Sequence, residues 1–307
     1  QRLGMTGVDG YRKHDCTVIG MTTVSVITGA GGMGVPTARL LGSGNHIVLF
    51  DISQDRLDAA VAELDGTGLD GTGLDGTAVT AILGDVTDRV AVDGLFAAAT
   101  GIGPIASVVH TAGVSPRMGD AEFVSRINAL GTVNVNEALL ALDSGAISDG
   151  VAIVNVASMA AHMVPTELIP EKLFPGALTD AETFIAALLE IYAPYPEQVQ
   201  SGFAYGISKA FVKWYSSAQA ERFTIAGIRI VSVSPGSVDT EMGRLEAESG
   251  AGALLEGANV PRWGTAQEMA DLFAYCVSDK AGYLTGTDIL NDGGVIASIR
   301  ARAAAAE

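Results

Sequence analysis

Val24-Ser25-Val26-Ile27-Thr28-Gly29-Ala30-Gly31-Gly32-Met33-Gly34 is a short β-branched run that breaks into a glycine cluster. A helical stretch follows over 36–43, in which Ala38, Leu40 and Leu41 can pack on one side. Strand, glycine turn and helix in that order form the first step of a βαβ unit. The same alternation continues along the chain. Apolar runs at 46–50, 79–83, 106–110, 151–156 and 228–233 read as strands, and 121–142, 208–223 and 266–277 read as helices. Short, continuously apolar strands separated by helices imply a parallel sheet covered on both faces. The expected fold class is therefore α/β, a doubly wound parallel sheet of Rossmann type in a single domain.

The composition narrows what such a domain can meet. Of 307 residues, 48% are hydrophobic and 17% charged, which is ample for a buried core and argues against disorder. A net charge of −17 would repel nucleic acid and anionic membrane, so neither is an expected partner. No apolar run reaches the roughly 18 residues of a membrane span. Cys16 and Cys276 lie far apart and form no Cys-x-x-Cys, which excludes a disulfide framework or zinc cluster and points to a cytoplasmic setting. Residues 1–20 lack periodicity and read as an N-terminal extension; 21–299 form the domain and 300–307 a tail. Residues 64–78 repeat Leu-Asp-Gly-Thr three times and read as a surface expansion, since the calcium-loop glutamate is missing.

Two constellations carry chemistry. Gly29, Gly31 and Gly34 fit G-x-G-x-x-G between a strand and a helix, where backbone N–H groups can approach a pyrophosphate at the helix start. Asp51 ends the next strand, 22 residues beyond Gly29. A carboxylate there accepts hydrogen bonds from ribose hydroxyls and repels a 2′-phosphate, which selects NAD (NADH). Its structural alternative is a surface cap on the following helix. The second constellation is Tyr205-Gly206-Ile207-Ser208-Lys209, with Tyr and Lys on one helix face. An ammonium near a phenol favours phenolate, lowering a pKa that starts near 10 and making Tyr205 a general acid/base.

Together these motifs resemble the short-chain dehydrogenase/reductase family over about residues 22–295. Tyr205 and Lys209 match its Tyr-x-x-x-Lys, Ser158 its serine after the preceding strand, and Asn128 its helix asparagine. His110-Thr111-Ala112-Gly113 stands for the family's Asn-Asn-Ala-Gly, with His110 expected to be a packing substitute. Asp85-Val86 match its adenine-side pair, Pro235-Gly236-Ser237-Val238-Asp239-Thr240 its Pro-Gly-x-x-x-Thr, and Asp292-Gly293-Gly294 its last-strand ending. The resemblance implies a catalytic set of Asn128, Ser158, Tyr205 and Lys209. It implies cofactor contacts from Gly29, Gly32, Met33, Gly34, Asp51, Ile52, Asp85, Val86, Ala112 and Gly113. Tyr205, Lys209, Pro235, Gly236, Val238 and Thr240 complete that set. The activity implied is NAD(H)-dependent interconversion of a secondary alcohol and a ketone. Asn128 would hold a proton-relay water, and a homodimer or homotetramer is expected. Structural alternatives stand beside each motif: a strand-ending turn for Ser158, a core amide at a helix kink for Asn128, and a plain turn for Pro235-Gly236. A nucleotide-sugar epimerase or dehydratase, or a silent NAD-binding redox sensor, are the rival functions.

Two departures from the family stand out. The glycine motif is one residue shorter than the family's Thr-Gly-x-x-x-Gly-x-Gly, so phosphate contacts by Gly32, Met33 and Gly34 are less secure than the Asp51 contact. Ser158 and Tyr205 are 47 residues apart, where the family usually has about a dozen. The insertion, about 159–204, holds five of the ten prolines. Within it Thr179 and Glu182 suggest a capping box, and Phe184, Ile185, Leu188, Leu189 and Tyr192 form an apolar stripe. Core or subunit packing and a lid over a bulky hydrophobic, steroid-like substrate are both open from the sequence. A similar insertion occurs in hydroxysteroid dehydrogenase/carbonyl reductase members of the family.

Overall fold

β1 (Val24–Thr28) is buried along its whole length in a computed structural model that describes residues 22–65, 78–247 and 257–305. Residues 1–20 and most of the 64–78 repeat lie outside the described residues. Parallel neighbours flank β1: β2 (His46–Asp51) and then β3 (Val79–Leu83) on one side, β4 (Ile105–His110) and β5 (Ile147–Val156) on the other. β6 (Arg229–Pro235) follows, then a two-residue pair β7 (Val238–Asp239) and β8 (Gly264–Thr265), and finally β9 (Thr287–Asn291). The main sheet has seven strands in the order β3-β2-β1-β4-β5-β6-β9. Strand order reverses between β1 and β4, and a crevice opens at their carboxyl ends, where ligands bind in such sheets.

Alternate residues of each strand feed two cores. Ile27, Leu49, Val109, Val154 and Val231 meet α1 (Gly34–Leu41), α2 (Gln54–Leu64) and α10 (Ala266–Val277). Val26, Val48, Val108, Ile153 and Ile230 meet α3 (Arg89–Ile102), α5 (Gly131–Leu140) and α7 (Glu197–Ala218). Side chains at helix starts satisfy free N–H groups: Ser53 accepts from Arg56 N before α2, and Asp88 accepts from Val90 N before α3. Thr265 and Glu268 form a reciprocal capping box on α10.

The helix expected over 121–142 is interrupted. α4 (Ala121–Ser125) passes through a π turn, Arg126–Leu130, before α5 begins. Downstream, Asn136 and Asn155 exchange hydrogen bonds of 2.7 and 3.1 Å, and Asn155 also donates to Ser216. α7 starts at Glu197 behind Pro196, well before the expected 208, and ends at Ala218; α8 (Ala220–Ile225) follows after Gln219. Tyr205 and Lys209 thus sit inside a long helix, held on both sides.

The insertion is part of the body. α6 (Ala181–Tyr192) buries Phe184, Ile185, Leu188 and Tyr192 against α7, and Phe174 stands edge-on to Phe211 with ring centres 5.2 Å apart. The stripe is core, and none of its residues lines a cavity beside the site. The expected capping box at Thr179 and Glu182 is replaced. Asp180 caps α6 by accepting from Thr183 N, while Glu182 forms two hydrogen bonds with Arg126 in the π turn. A carboxylate one residue later reaches the first-turn N–H, and the guanidinium claims Glu182.

Candidate active site

The turn after β1 is shaped by Gly29, whose φ of +90° suits a residue without a side chain; a Cβ there would lie 2.8 Å from Thr111 Oγ1. Thr111 itself donates to Thr28 O, tying the ends of β1 and β4 together. Beyond them lies a cavity of about 260 Å³ lined by Gly29, Gly31, Gly32, Met33, Asp51, Ile52, Asp85, Val86, Ala112 and Gly113. Asp51 Oδ2 accepts from Ala30 N at 2.8 Å, and Oδ1 accepts from Ser53 N at 2.9 Å. Each oxygen retains a lone pair for a further donor. Asp85 accepts from Thr87 N, and Asn134 donates to Val86 O, which fixes the opposite wall.

Gly34 departs from its expected place. It begins α1 with its Cα packed against the Gly29 carbonyl and lines neither cavity. Gly31 faces open space instead, because the shortened loop brings the helix start one residue closer to the strand.

A second cavity, about 220 Å³, adjoins the first and shares Met33, Gly113, Thr240 and Met242 with it. Ser158, Tyr205, Lys209, Pro235, Gly236 and Val238 line it. Ser158 follows β5 and accepts from Ala160 N at 3.2 Å. Thr240 caps α9 (Glu241–Glu246), accepting from Gly243 N, and the β7–β8 pair brings Trp263 onto the cavity wall. Asn128, buried in the π turn, spends its amide on structure. Oδ1 accepts from Val114 N at 3.0 Å, and Nδ2 donates to Val114 O and Ser208 Oγ. A Cβ on Gly113 would sit 3.0 Å from Asn128 Oδ1 and 3.2 Å from Lys209 Nζ, so the 113–114 segment packs between these two side chains. With every side-chain polar atom of Asn128 engaged, its influence on the site runs through that segment.

Burial dominates the electrostatics of the pair. It pushes the Tyr205 pKa above its ordinary value; the nearby Ser158 hydroxyl opposes that rise and the Glu246 carboxylate adds to it. Lys209 lies beside the ring on the same helix. Its Nζ donates to Val156 O at 2.9 Å and lies 5.9 Å from the Tyr205 ring centre, while burial depresses its own pKa to about 8. The strand carbonyl orients the lysine beside Tyr205. His110 behaves as a packing substitute. It is buried, bonded through Nδ1 to Thr28 Oγ1, and kept neutral because burial first, and Lys209 second, lower its pKa to about 3.

Comparison with known proteins agrees with this arrangement. A family model described as short chain dehydrogenase matches residues 23–170, and one described as enoyl-(acyl carrier protein) reductase matches residues 195–296. The chain belongs to the short-chain dehydrogenase/reductase family. It is an oxidoreductase acting on CH–OH groups, and the family binds a nicotinamide cofactor, NAD or NADP. A short-chain dehydrogenase/reductase of Alternaria brassicicola, bsc3, is 28% identical over 89% of this chain and 95% of its own. Gluconate 5-dehydrogenase of Gluconobacter oxydans is 27% identical over 90% and 95%. The solved structure of levodione reductase superposes with a TM-score of 0.67 at 23% identity, covering 90% of this chain and 98% of that one. Residues 171–194, inside the insertion, fall between the two family matches. Among the described residues no helix is long and apolar enough to cross a membrane, and no cluster of three metal-ligating side chains occurs.

Several cavity residues were not singled out from the sequence: Arg56, Met159, Met163, Met242, Glu246 and Trp263. The stretch after the Pro235–Thr240 motif was the available signal for Met242 and Glu246, because a chain leaving that motif must pass over the sheet's carboxyl edge.

Proposed function

We propose that the protein interconverts a secondary alcohol and a ketone with NAD(H), with Tyr205 as general acid/base. The convergence of Ser158, Tyr205 and Lys209 on one cavity carries this reading. The adjoining cavity fits a dinucleotide: Gly31 has no atom within 4 Å of a would-be Cβ, and Asp51 keeps free acceptor positions. Gly29, Gly32, Met33, Asp51, Ile52, Asp85, Val86, Ala112 and Gly113 would hold the adenosine and phosphates, and Pro235, Gly236, Val238 and Thr240 the nicotinamide. The bound nicotinamide supplies hydride exchange.

This chain's own residues handle the proton and the oxygen. Tyr205 takes the hydroxyl proton as phenolate or returns it as phenol, and Ser158 donates to the substrate oxygen as charge develops. Lys209 is available to the nicotinamide ribose, and Asn128 acts as a positioning residue by fixing Gly113 and Val114 against it. Met159, Met163, Met242 and Trp263 give the substrate side an apolar wall. The hydrophobic part of the substrate is supported by that wall rather than by the insertion's stripe. The family resemblance supports a homodimer or homotetramer.

Tyr205→Phe tests the chemistry: NAD-linked oxidation of an active secondary alcohol should fall by about 10²–10⁴-fold. Full turnover would overturn the mechanism. Cofactor choice is read separately by titrating NADH and NADPH. Asp51 should make NADH bind more tightly, and Asp51→Ser should narrow the gap. Arg56 also lines this cavity, but Glu241 lies 3.9 Å from its guanidinium and offsets its charge. Tighter binding of NADPH by the unaltered protein would sink the role of Asp51.

A further inference from the structure

Ser158, Tyr205 and Lys209 account for alcohol chemistry and leave one ionisable side chain on the cavity wall without a task. Glu246 ends α9 and lines the same cavity as Ser158 and Tyr205. Its Oε1 is buried and, among the described residues, has no hydrogen-bond partner. Met159, Met163, Met242 and Trp263 make the surrounding wall apolar. A carboxylate oxygen withdrawn from water without a donor is costly until one arrives.

The nearby cations form no ion pair with Glu246 among the described residues. Lys209 is the one cation lining this cavity among them, and one of its three N–H groups goes to Val156 O. Arg244, on the same helix, pairs with Asp239 at 2.8 Å, and Arg262 pairs with Glu268 at 2.7 Å. Glu241 faces Arg56. Glu246 therefore presents an anion to the substrate space without a counter-charge from the described residues.

We propose that Glu246 is a specificity residue that binds a protonated amine, so that the preferred substrate is an amino alcohol, or the matching amino ketone, with an apolar body. This rests on the alcohol–ketone reading above and names the substrate class for it. A methionine and tryptophan wall takes the carbon skeleton, and the carboxylate takes the ammonium. The net charge of −17 favours approach of a cation.

The assignment has a consequence for Tyr205. The Glu246 charge opposes phenolate formation. An ammonium seated on Glu246 cancels that opposition, so the substrate that binds best also eases removal of its own hydroxyl proton. Removing the carboxylate charge should lower the Tyr205 pKa. The acid limb of the oxidation profile with a neutral alcohol then moves to lower pH.

The test compares 1-phenyl-2-aminoethanol with its uncharged isostere 1-phenylpropan-1-ol. Their affinities are measured by calorimetry on the full chain, with and without cofactor, for the unaltered protein and for Glu246→Gln. The amine should bind about tenfold or more tightly than the isostere, and Glu246→Gln should abolish that ratio. A protein with no preference for the amine, or a Glu246→Gln variant that keeps it, overturns the assignment. An acid limb unmoved by Glu246→Gln also counts against it, by removing the charge from the neighbourhood of Tyr205. Tyr205→Phe keeps the two readings apart: it should stop turnover while leaving the amine preference in binding. Turnover that survives in Tyr205→Phe, with the preference still tied to Glu246, would refute the chemistry and support the amine site.

Discussion

Two excursions of the chain leave the sheet's carboxyl edge, and they differ in what covers them. The long one begins at Met159 and returns at α7. Beyond Met163 it contributes nothing to either cavity, because Phe174, Phe184, Leu188 and Tyr192 are as buried as the strands. The shorter one, 236–265, has a two-residue ladder and a helix α9 with no buried residue. Yet it supplies Thr240, Met242, Glu246 and Trp263 to the cavities. The length of an insertion therefore says little about its share in specificity. What decides is whether its apolar face meets a neighbour before a ligand can. The long excursion finds Phe211 and Trp214 on α7, at 5.2 and 5.4 Å from the Phe174 ring, and is absorbed. In the short one Val238 joins the core, while α9, which has no buried residue, remains a wall.

This contrast can be broken by separating stability from kinetics. Phe174→Ala should cost about 3–5 kcal/mol of stability, seen as a lower urea midpoint, with kcat/KM of the folded fraction within about twofold. A kinetic collapse at unchanged midpoint would make the long excursion a lid after all. His162→Ala probes the joint between the two behaviours. His162 Nε2 lies 2.8 Å from Asp288 Oδ2, and the same carboxylate accepts from Ser232 and Ser234. Loss of that partly buried partner should cost about 1 kcal/mol, with a rise in KM as Met159 and Met163 loosen. A rise in KM without any stability loss would mean that His162 meets the substrate directly. Met242→Ala should change stability by no more than about 0.5 kcal/mol while reducing kcat/KM about tenfold through lost apolar contact. Denaturation that follows the Phe174→Ala pattern would show that the short excursion is also core.

The parts of the molecule governed by local pattern were legible in the sequence. Strands such as 46–50 and 151–156 stand out because a buried parallel strand must be apolar on both faces. Ser158, Tyr205 and Lys209 line one cavity because strand ends and an i, i+4 helix pair converge at one edge of the sheet. The α6 cap was misplaced by one residue because Thr179 and Asp180 are both good caps, and only the position of Arg126 assigns Glu182 elsewhere. The anchoring of Lys209 was hidden for a related reason. Sequence spacing puts Lys209 near the phenol but does not reveal that Val156 O holds the ammonium. Glu246 and Trp263 reach the site through a ladder of two residues, too short to leave any periodicity.

The π turn at Arg126–Leu130 sets the phase of everything after it. One added residue rotates the downstream helix by about 100° relative to the segment before it. α4 can thereby turn Ser125 toward Tyr192 of the insertion, at 3.4 Å, while α5 turns Asn136 toward Asn155 in the sheet. A uniform helix would keep one of these alignments and lose the other. The single extra residue works as a vernier between two clients of one rod. It lets the insertion be accommodated on α4 without disturbing the register of Asn136 on β5.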